Sequence, residues 1–289
     1  MMIKEVLNIS KSKLEKNKIS SSLLEVEILL SAVFKKDKEY LFFNPNKEIS
    51  IWQNFLFQRM LKKRLAGYSV AVIVGHKWFY GLDFFVNKNV LVPRPETELM
   101  VETVLEAIIN YKLLIINLID VGTGSGCIVV SLANELNKKK IEFNSYALDI
   151  SRKALKVARK NSRKYNLDNC IKILYSDLLN IIDFKKLNGP IFITANLPYL
   201  TPEQIKNSPS IKKEPKMALE SGKDGLNHYR RLFGQIKNKI RGIKFFLFCE
   251  IDESQATAFT KLVKQELPTA KLSIKKDLNG ADRLAVLVI

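Results

Sequence analysis

The most constraining feature of the sequence is a regular alternation of strand-like and helix-like segments that starts near residue 100. Five apolar runs rich in β-branched residues predict strands, and amphipathic segments between them predict helices. Because this alternation is typical of parallel strands joined by crossover helices, we expect one sheet covered on both faces. The predicted strands are residues 113–122, 145–150, 171–177, 190–196 and 244–251.

The end of the chain departs from this alternation. The segment KLSIKKDLNGADRLAVLVI (271–289) contains two strand-like runs joined by a turn at Asn279-Gly280, with no helix between them. A hairpin of this kind adds an antiparallel strand to the sheet. We therefore predict an α/β, Rossmann-like sheet of seven strands in which the last strand is antiparallel.

The part of the chain before the sheet has a different pattern. Residues 1–66 show successive helical periodicities, and residues 67–98 contain the strand-like run SVAVIVGHKWFYGLDFFV. We predict a small N-terminal helical domain over 1–66, a β-hairpin connector over 67–98 and the sheet domain over 99–289.

Composition limits which classes of protein this chain can belong to. The chain has 289 residues, of which 47% are apolar, so a sizeable core can be buried. The net charge of +18 favours an acidic or polyanionic partner, although an AT-rich coding sequence would also enrich Lys, Asn and Ile, and both explanations stay open. No apolar run approaches roughly 18 residues, so we expect no membrane span.

Cysteine and histidine usage points away from disulfides and metals. Cys127, Cys170 and Cys249 are odd in number and far apart, which predicts reduced thiols in a cytoplasmic protein. The first 18 residues lack an apolar core segment, so we expect no secretory signal. His76 and His228 are the only histidines, and no HExxH or paired cysteines occur, so we expect no metal site.

A glycine-rich loop, DVGTGSG, follows the first predicted strand and precedes a helix. Glycines let the backbone approach a ligand closely, and the helix N-terminus supplies unpaired N–H groups. A dinucleotide site would favour G-x-G-x-x-G, whereas Gly122, Gly124 and Gly126 are spaced G-x-G-x-G. The loop alone is compatible with several phosphate-containing or adenosine-containing ligands.

Acidic residues at the next two strand ends narrow the ligand class. Asp149 can accept hydrogen bonds from both hydroxyls of a ribose, and Asp177 can reach the amine of an adenine. Either residue alone is more often a cap or a turn residue, but together they predict an adenosine-containing cofactor, and DVGTGSG favours S-adenosylmethionine over NAD. The predicted cofactor-binding residues are Asp120, Gly122, Thr123, Gly124, Ser125, Gly126, Asp149, Asp177, Leu178 and Asn196.

Seven short motifs carry a resemblance to a known family. They resemble those of the class I S-adenosylmethionine-dependent methyltransferases and, more narrowly, of the peptide chain release factor glutamine methyltransferases (the PrmC/HemK family), over residues 66–289. The family usually has Pro where this chain has Leu197, in its N-P-P-Y motif. In chain order the motifs are LVPRPETE (91–98), DVGTGSG (120–126), ALDIS (147–151), NLPY (196–199), EP (214–215), SGKDGL (221–226) and KDLNGADR (276–283).

The resemblance implies an activity, a cofactor and a partner. It implies methyl transfer from S-adenosyl-L-methionine, which becomes S-adenosyl-L-homocysteine, to the side-chain N5 of glutamine in the Gly-Gly-Gln motif of class I peptide chain release factors. This reaction supports translation termination. We also expect a cytoplasmic monomer that needs no membrane and no stable nucleic-acid binding, and we expect the N-terminal helices to recognise the substrate.

Three other functions stay open. One is a ribosomal-protein glutamine methyltransferase, and another is an RNA or DNA adenine-N6 methyltransferase, which shares the planar NH₂ target. The N-L-P-Y sequence resembles rRNA adenine dimethyltransferases, but those carry the accessory domain after the sheet, whereas here the helices precede it. A cofactor-binding adaptor without activity is the third, and the presence of Asn196 argues against it.

The chemistry of amide methylation explains why Asn-Leu-Pro-Tyr would be needed. An amide nitrogen is a poor nucleophile, so the enzyme must position and rehybridise it rather than deprotonate it. The Asn196 side-chain oxygen and the Leu197 carbonyl can accept the two N–H hydrogens, Pro198 sets the turn, and Tyr199 packs on the amide. Because the Leu197 carbonyl does the holding, its side chain should matter least, and Leu in place of Pro costs about 1 kcal/mol of rigidity. The predicted catalytic and substrate-binding residues are therefore Asn196, Leu197, Pro198 and Tyr199.

The PRPETE segment allows two interpretations. Arg94, Glu96 and Glu98 can close over the cofactor or line the substrate entrance, or they can cap the helix that begins near Thr97. The sequence does not separate these roles.

Overall fold

A computed structural model of the chain describes residues 1–113, 115–208, 211, 213–240 and 244–289. The chain divides into two compact units. The first is formed by Met1–His76, together with the described residues Ile211 and Lys213, and the second by Lys77–Ser208 and Glu214–Ile289.

The first unit is helical. Its core contains Leu14, Leu29 and Phe57, which are fully buried. Glu25 and Arg64 form an ion pair whose side chains are only 15% and 17% exposed. The helices are α1 (Ile3–Lys16), α2 (Ser22–Phe34), α3 (Lys38–Phe43), α4 (Ile51–Leu65) and α5 (Val70–Val74).

Helix α5 corrects part of the predicted hairpin. The run SVAVIV looks strand-like, but Ser69 caps Val72 N–H and Gly75 ends the helix in a left-handed conformation with a φ of 86°. A five-residue apolar run between a capping serine and a glycine fits one helical turn as well as a strand. Only β1 (His76–Phe79) and β2 (Leu82–Phe85) form the hairpin.

The second unit contains a seven-stranded sheet in the order β5-β4-β3-β6-β7-β9-β8. Strands β3 to β7 are parallel, and β9 runs antiparallel to both β7 and β8. This confirms the predicted sheet, although Leu114, within the first predicted strand, lies outside the described residues. The strands are β3 (Ile115–Val121), β4 (Glu142–Asp149), β5 (Ile171–Tyr175), β6 (Ile191–Ala195), β7 (Phe245–Glu250), β8 (Lys271–Lys276) and β9 (Asp282–Val288).

Helices cover both faces of the sheet. Along β6 the buried side chains alternate, so that Ile191 and Ile193 pack in one apolar cluster and Phe192 packs in the other, stacked on Phe246 at 4.7 Å between ring centroids. Such a strand has no solvated face, which is why its sequence is apolar except for Thr194, whose hydroxyl is bonded to Asp120. The helices are α6 (Glu98–Asn110), α7 (Cys127–Lys138), α8 (Arg152–Lys164), α9 (Pro202–Asn207), α10 (Asn227–Lys239) and α11 (Ala256–Glu266).

The strand order reverses direction at β3, from which the chain builds outward first through β4 and then through β6. Ligands of open α/β sheets bind at such a switch point, outside the carboxyl ends of the strands. Within the described part of the chain, every helix is too short or too polar to cross a bilayer.

Candidate active site

A cavity of about 330 Å³ lies at the carboxyl ends of β3, β4, β5 and β6. Most of the residues predicted to bind the cofactor line this cavity, together with part of the Asn-Leu-Pro-Tyr segment. The predicted residues on its wall are Gly122, Thr123, Gly124, Ser125, Asp149, Asp177, Leu178, Asn196, Leu197 and Pro198.

Asp120 does not line this cavity but lies behind the glycine loop. Its carboxylate accepts hydrogen bonds from the hydroxyls of Thr123, at 2.6 Å, and Thr194, at 2.8 Å. Burial raises the pKa of Asp120 to about 6, although both hydrogen bonds oppose the shift. Asp120 thus holds the loop to β6. Gly126 also lies off the cavity wall, at the start of α7, where an added Cβ would come within 3.3 Å of Ala158.

Asp149 joins the loop to the end of β4. Its two carboxylate oxygens accept backbone hydrogen bonds from Gly124, at 2.9 Å, and Ser151, at 2.7 Å. Burial raises the pKa of Asp149, and these two hydrogen bonds lower it. Each oxygen keeps a further lone pair, so the carboxylate can still accept hydrogen bonds from a ligand in the cavity.

The far end of the cavity contains residues that the sequence analysis missed. Asp177 forms an ion pair with Arg231 of α10, and the adjacent Leu178 is in a left-handed conformation with a φ of 52°. His228, which the histidine count had set aside, also lines the cavity, and its Nδ1 lies 2.8 Å from Ser221 Oγ. Burial lowers the pKa of His228, which favours the neutral imidazole. Only the position of α10, a helix that we did not predict, brings Arg231 to Asp177.

Cys127 contributes a thiol to the cavity wall. It begins α7 and is 8% exposed. Burial, with the nearby negative charges of Asp120 and Glu250, raises the pKa of this thiol to about 12. The group is therefore an uncharged thiol at neutral pH.

Asn196 follows β6 and is held by its amide nitrogen. Nδ2 donates hydrogen bonds to Glu250 Oε2, at 2.9 Å, and to Thr97 Oγ1, at 3.2 Å. Among the described residues, the Asn196 side-chain oxygen Oδ1 is buried and has no hydrogen-bond partner. A buried acceptor without a donor is costly in a folded protein, so an Oδ1 in this state marks a place where a donor is expected to bind.

The rest of the segment is fixed by packing and backbone contacts. Leu197 is 3% exposed, and its Cδ2 lies 3.0 Å from the position that a Cβ on Gly122 would occupy. Tyr199 lies off the first cavity, with its hydroxyl 3.3 Å from Glu250 Oε1 and its carbonyl accepting from Gln255 Nε2 at 2.6 Å. The loop is thus fixed by the packing of Leu197 beside Gly122 and by the contacts of Tyr199 with Glu250 and Gln255.

A second cavity, of about 220 Å³, meets the first at Asn196, Leu197 and Pro198. Arg94 lines both cavities, and Arg283 lines the second. The other residues that line the second cavity are Leu91, Glu96, Tyr199, Leu200, Ala218, Leu219, Glu250 and Asp252.

The PRPETE segment contributes to the cavity walls, and neither Arg94 nor Thr97 caps the helix that follows with its side chain. Arg94 and Glu96 line cavities, whereas Glu98 accepts a hydrogen bond from Tyr80 N–H at 2.9 Å. Thr97 is 2% exposed and its hydroxyl donates to Glu250 at 2.7 Å. Glu250 was missed, although the signal was present. It is an acidic residue at the end of the apolar run KFFLFCEI, as Asp149 is at the end of its own strand.

The sheet order and the family comparisons together identify a class of protein, the methyltransferases. Residues 116–188 match the family described as "Methyltransferase domain", and residues 5–75 match the "PrmC N-terminal domain" family. The chain is 34% identical over 265 residues to the release factor glutamine methyltransferase of Bacillus anthracis, covering 89% of each chain. It is 35% identical over 279 residues to that of Thermodesulfovibrio yellowstonii, covering 94% of each.

The chain belongs to the release factor glutamine methyltransferase family. This confirms the resemblance carried by the seven motifs. Among solved structures, the hMettl16 catalytic domain in complex with MAT2A 3'UTR hairpin 6 is similar, with a TM-score of 0.56 and 16% identity, covering 79% of this chain and 81% of the human one. At this identity the likeness shows the fold alone.

Proposed function

We propose that the protein transfers a methyl group from S-adenosyl-L-methionine to the side-chain N5 of the glutamine in the Gly-Gly-Gln motif of class I release factors. The observation that carries this proposal is the Asn196 amide at the junction of the two cavities. Its nitrogen is held by Glu250 and Thr97, whereas its oxygen is buried without a partner. Such an oxygen can accept one hydrogen of a planar NH₂ group.

The first cavity suits an adenosine-containing methyl donor. The loop from Gly122 to Ser125 offers glycine backbone without side chains, and Asp149 offers acceptors for ribose hydroxyls. Asp177 and Leu178 also line this cavity, and the Asp177 carboxylate could accept a hydrogen bond from the amine of an adenine. The donor would supply an electrophilic methyl group on a sulfonium, so the chain itself needs to bind and orient rather than activate.

The second cavity suits the glutamine side chain. An amide placed there would give one hydrogen to Asn196 Oδ1 and the other to the Leu197 carbonyl, with Tyr199 beside it. Both acceptors favour a pyramidal nitrogen whose lone pair points toward the first cavity. The methylated nitrogen becomes acidic and loses a proton to water, so no general base is required.

We further propose that residues 1–66 recognise the release factor, that 67–98 connect them to the methyltransferase domain of 99–289, and that the enzyme acts as a cytoplasmic monomer. The PrmC N-terminal domain family matches residues 5–75, and the relatives' name supports a release factor as the substrate.

The decisive experiment is transfer of a labelled methyl group to a purified class I release factor. We expect labelling of the wild-type factor and none when the glutamine of Gly-Gly-Gln is changed to alanine. A ribosomal-protein fraction and total RNA serve as competing acceptors. Label that persists on the alanine variant, or that appears only on RNA or ribosomal proteins, would contradict the proposal.

Asn196→Ala tests the proposed acceptor. Because the change removes Oδ1 but leaves the glycine loop and Asp149 intact, we expect the transfer rate to fall at least about 100-fold while the cofactor dissociation constant changes little. Single-turnover rates and calorimetric titration with S-adenosylhomocysteine measure the two quantities. A parallel loss of cofactor binding would mean that Asn196 acts mainly on the cofactor.

A further inference from the structure

We infer that Glu250 is a positioning residue for this reaction, which holds the Asn196 amide in the single orientation that presents Oδ1 to the substrate NH₂ group. The inference rests on the function proposed above. It concerns a residue outside the Asn-Leu-Pro-Tyr segment, on a different strand and 54 residues further along the chain.

Within the described part of the chain, each hydrogen-bond partner of the Glu250 side chain is a donor. The residue ends β7 and is 2% exposed. Its Oε2 accepts from Thr97 Oγ1 at 2.7 Å and from Asn196 Nδ2 at 2.9 Å, and its Oε1 lies 3.3 Å from the Tyr199 hydroxyl. A protonated carboxyl would have to donate one hydrogen among these groups, so the arrangement fits the ionised carboxylate.

The carboxylate leaves the Asn196 amide only one favourable orientation. If the amide were rotated by half a turn, Oδ1 would face Glu250 Oε2, and two acceptors would be in contact. Thr97 adds to this preference, since its hydroxyl hydrogen goes to Glu250 and its oxygen therefore accepts from Asn196 Nδ2, at 3.2 Å. The oxygen that remains is the buried, unpartnered Oδ1.

The surroundings of Glu250 determine its charge. The pKa of Glu250 is raised above its ordinary value because burial outweighs the opposing effects. Those effects are the hydrogen bonds from Thr97 and Tyr199 and the positive charges of Arg94 and Arg283. The charged or titratable groups that face it are Arg94, Cys127, Tyr199, Tyr229 and Arg283.

The proposal predicts a specific dependence of kcat on pH. Glu250 orients Asn196 only when ionised, so kcat should fall as the pH is lowered through the pKa of Glu250. A protonated Glu250 can donate to Asn196 Oδ1 and thereby stabilise the unproductive orientation. The rate must be measured at saturating cofactor and release factor, so that weaker binding at low pH does not enter.

Glu250→Gln is the primary variant because it preserves shape and removes the charge. A glutamine can present either its oxygen or its nitrogen to Asn196, so both amide orientations become populated. We expect kcat to fall roughly tenfold or more, with an unchanged cofactor dissociation constant and no acid limb from residue 250. Glu135→Gln on α7 makes the same chemical change at a carboxylate paired with Lys138, and we expect wild-type rates from it.

Thr97→Val is the second variant and keeps Glu250 in place. It removes a hydrogen bond that lowers the pKa of Glu250, so the acid limb of kcat should move to higher pH. A role limited to folding would lower the amount of active enzyme without moving the limb. The proposal would be overturned if Glu250→Gln had the kcat of the wild type. It would also be overturned if kcat fell at the same low pH in the wild type, Glu250→Gln and Thr97→Val.

A measurement without substrate separates this inference from the proposed function. Hydrogen exchange of the Asn196 side-chain NH₂ can be followed by NMR on enzyme labelled with ¹⁵N-asparagine. We expect exchange to be at least about tenfold faster in Glu250→Gln, because the wild-type NH₂ is held by two buried acceptors. Equal exchange rates would refute the positioning role, whereas a wild-type enzyme that does not methylate release factors would refute only the proposed function.

Discussion

At the scale of single residues, Leu197 shows what sequence reasoning could and could not predict. Its carbonyl, the part predicted to matter, follows from the restricted backbone before Pro198. Its side chain, predicted to matter least, is buried in the core and reaches the space beside Gly122. The residue therefore has a packing role that the motif alone does not reveal.

Leu197→Pro separates the two roles. The carbonyl remains, so we expect kcat within a few-fold of wild type, but the lost leucine contacts should lower the free energy of unfolding by about 1–2 kcal/mol. Steady-state kinetics and thermal denaturation measure the two effects. A large loss of kcat in a stable variant would show that the carbonyl is not the second acceptor.

The residues that sequence reasoning found share one property, which is that they lie next to a recognisable strand end. Asp149 and Asp177 could be predicted because each follows an apolar run. Glu250 follows one too, but its partner Thr97 lies 153 residues away, and no local pattern connects them. Arg231 was beyond prediction because only the packing of α10 brings it to Asp177.

At the scale of elements, the loop between β3 and α7 depends on a buried charge. The ionised Asp120 carboxylate accepts hydrogen bonds from both Thr123 and Thr194, whereas a protonated carboxyl is a weaker acceptor for this pair. Its pKa is raised to about 6 by burial, so the protonated form becomes populated only slightly below neutral pH.

We therefore expect the affinity for S-adenosylhomocysteine to fall as the pH is lowered through about 6. Protonation of Asp120 removes an acceptor that holds the loop, and calorimetric titration between pH 5 and about pH 8 measures the effect. Asp120→Asn should bind more weakly above pH 6 and show a smaller dependence, the remainder belonging to Asp149, whose pKa burial also raises. Affinity that does not change with pH would contradict this account.

The loop before α10 fixes the Asn-Leu-Pro-Tyr segment by close contact. Gly225 has a φ of 72°, and an added Cβ would lie 2.1 Å from the Tyr199 carbonyl oxygen and 2.0 Å from Gln255 Nε2. We expect Gly225→Ala to lower the free energy of unfolding by at least about 2 kcal/mol and to reduce kcat, since Tyr199 must move. Chemical denaturation and kinetics test this.

Gly81→Ala is the matched control for Gly225→Ala. Gly81 has a similar φ of 70° but nothing within 4 Å of an added Cβ, so only backbone strain of about 1 kcal/mol is expected. If both variants behave alike, the contact with Tyr199 has no effect of its own.

At the scale of the whole molecule, the strands of the sheet and their succession along the chain were predictable because hydrophobic periodicity reports them directly, whereas α10 was not. The secondary structure of the segment before the hairpin was less predictable, because a short apolar run such as Val70–Val74 fits a strand and a helical turn equally well. Domain roles need an experiment, since helical packing in the first unit does not identify a ligand.

Removing residues 1–66 tests whether they recognise the release factor while the methyltransferase domain binds the cofactor. We expect the dissociation constant for the release factor to rise by more than about tenfold, with a much smaller change for S-adenosylhomocysteine, whose proposed cavity is lined by residues between Lys88 and Arg231. Calorimetry with both ligands makes the comparison, and retained cofactor binding shows that the truncated protein is folded. Equal losses for both ligands would contradict a role confined to substrate recognition.

Cys127 lines the first cavity, and its protonation state bears on whether the enzyme could methylate its own thiol. A methyl sulfonium alkylates thiolates readily, so a reactive cysteine beside it would consume the donor and block the cavity with an S-methyl group. Because burial raises the pKa of Cys127 to about 12, the group stays a thiol rather than a thiolate at neutral pH. If the proposed function holds, burial of Cys127 keeps the enzyme from methylating its own thiol, and the proposed glutamine amide, a weak nucleophile, is the group that the site orients.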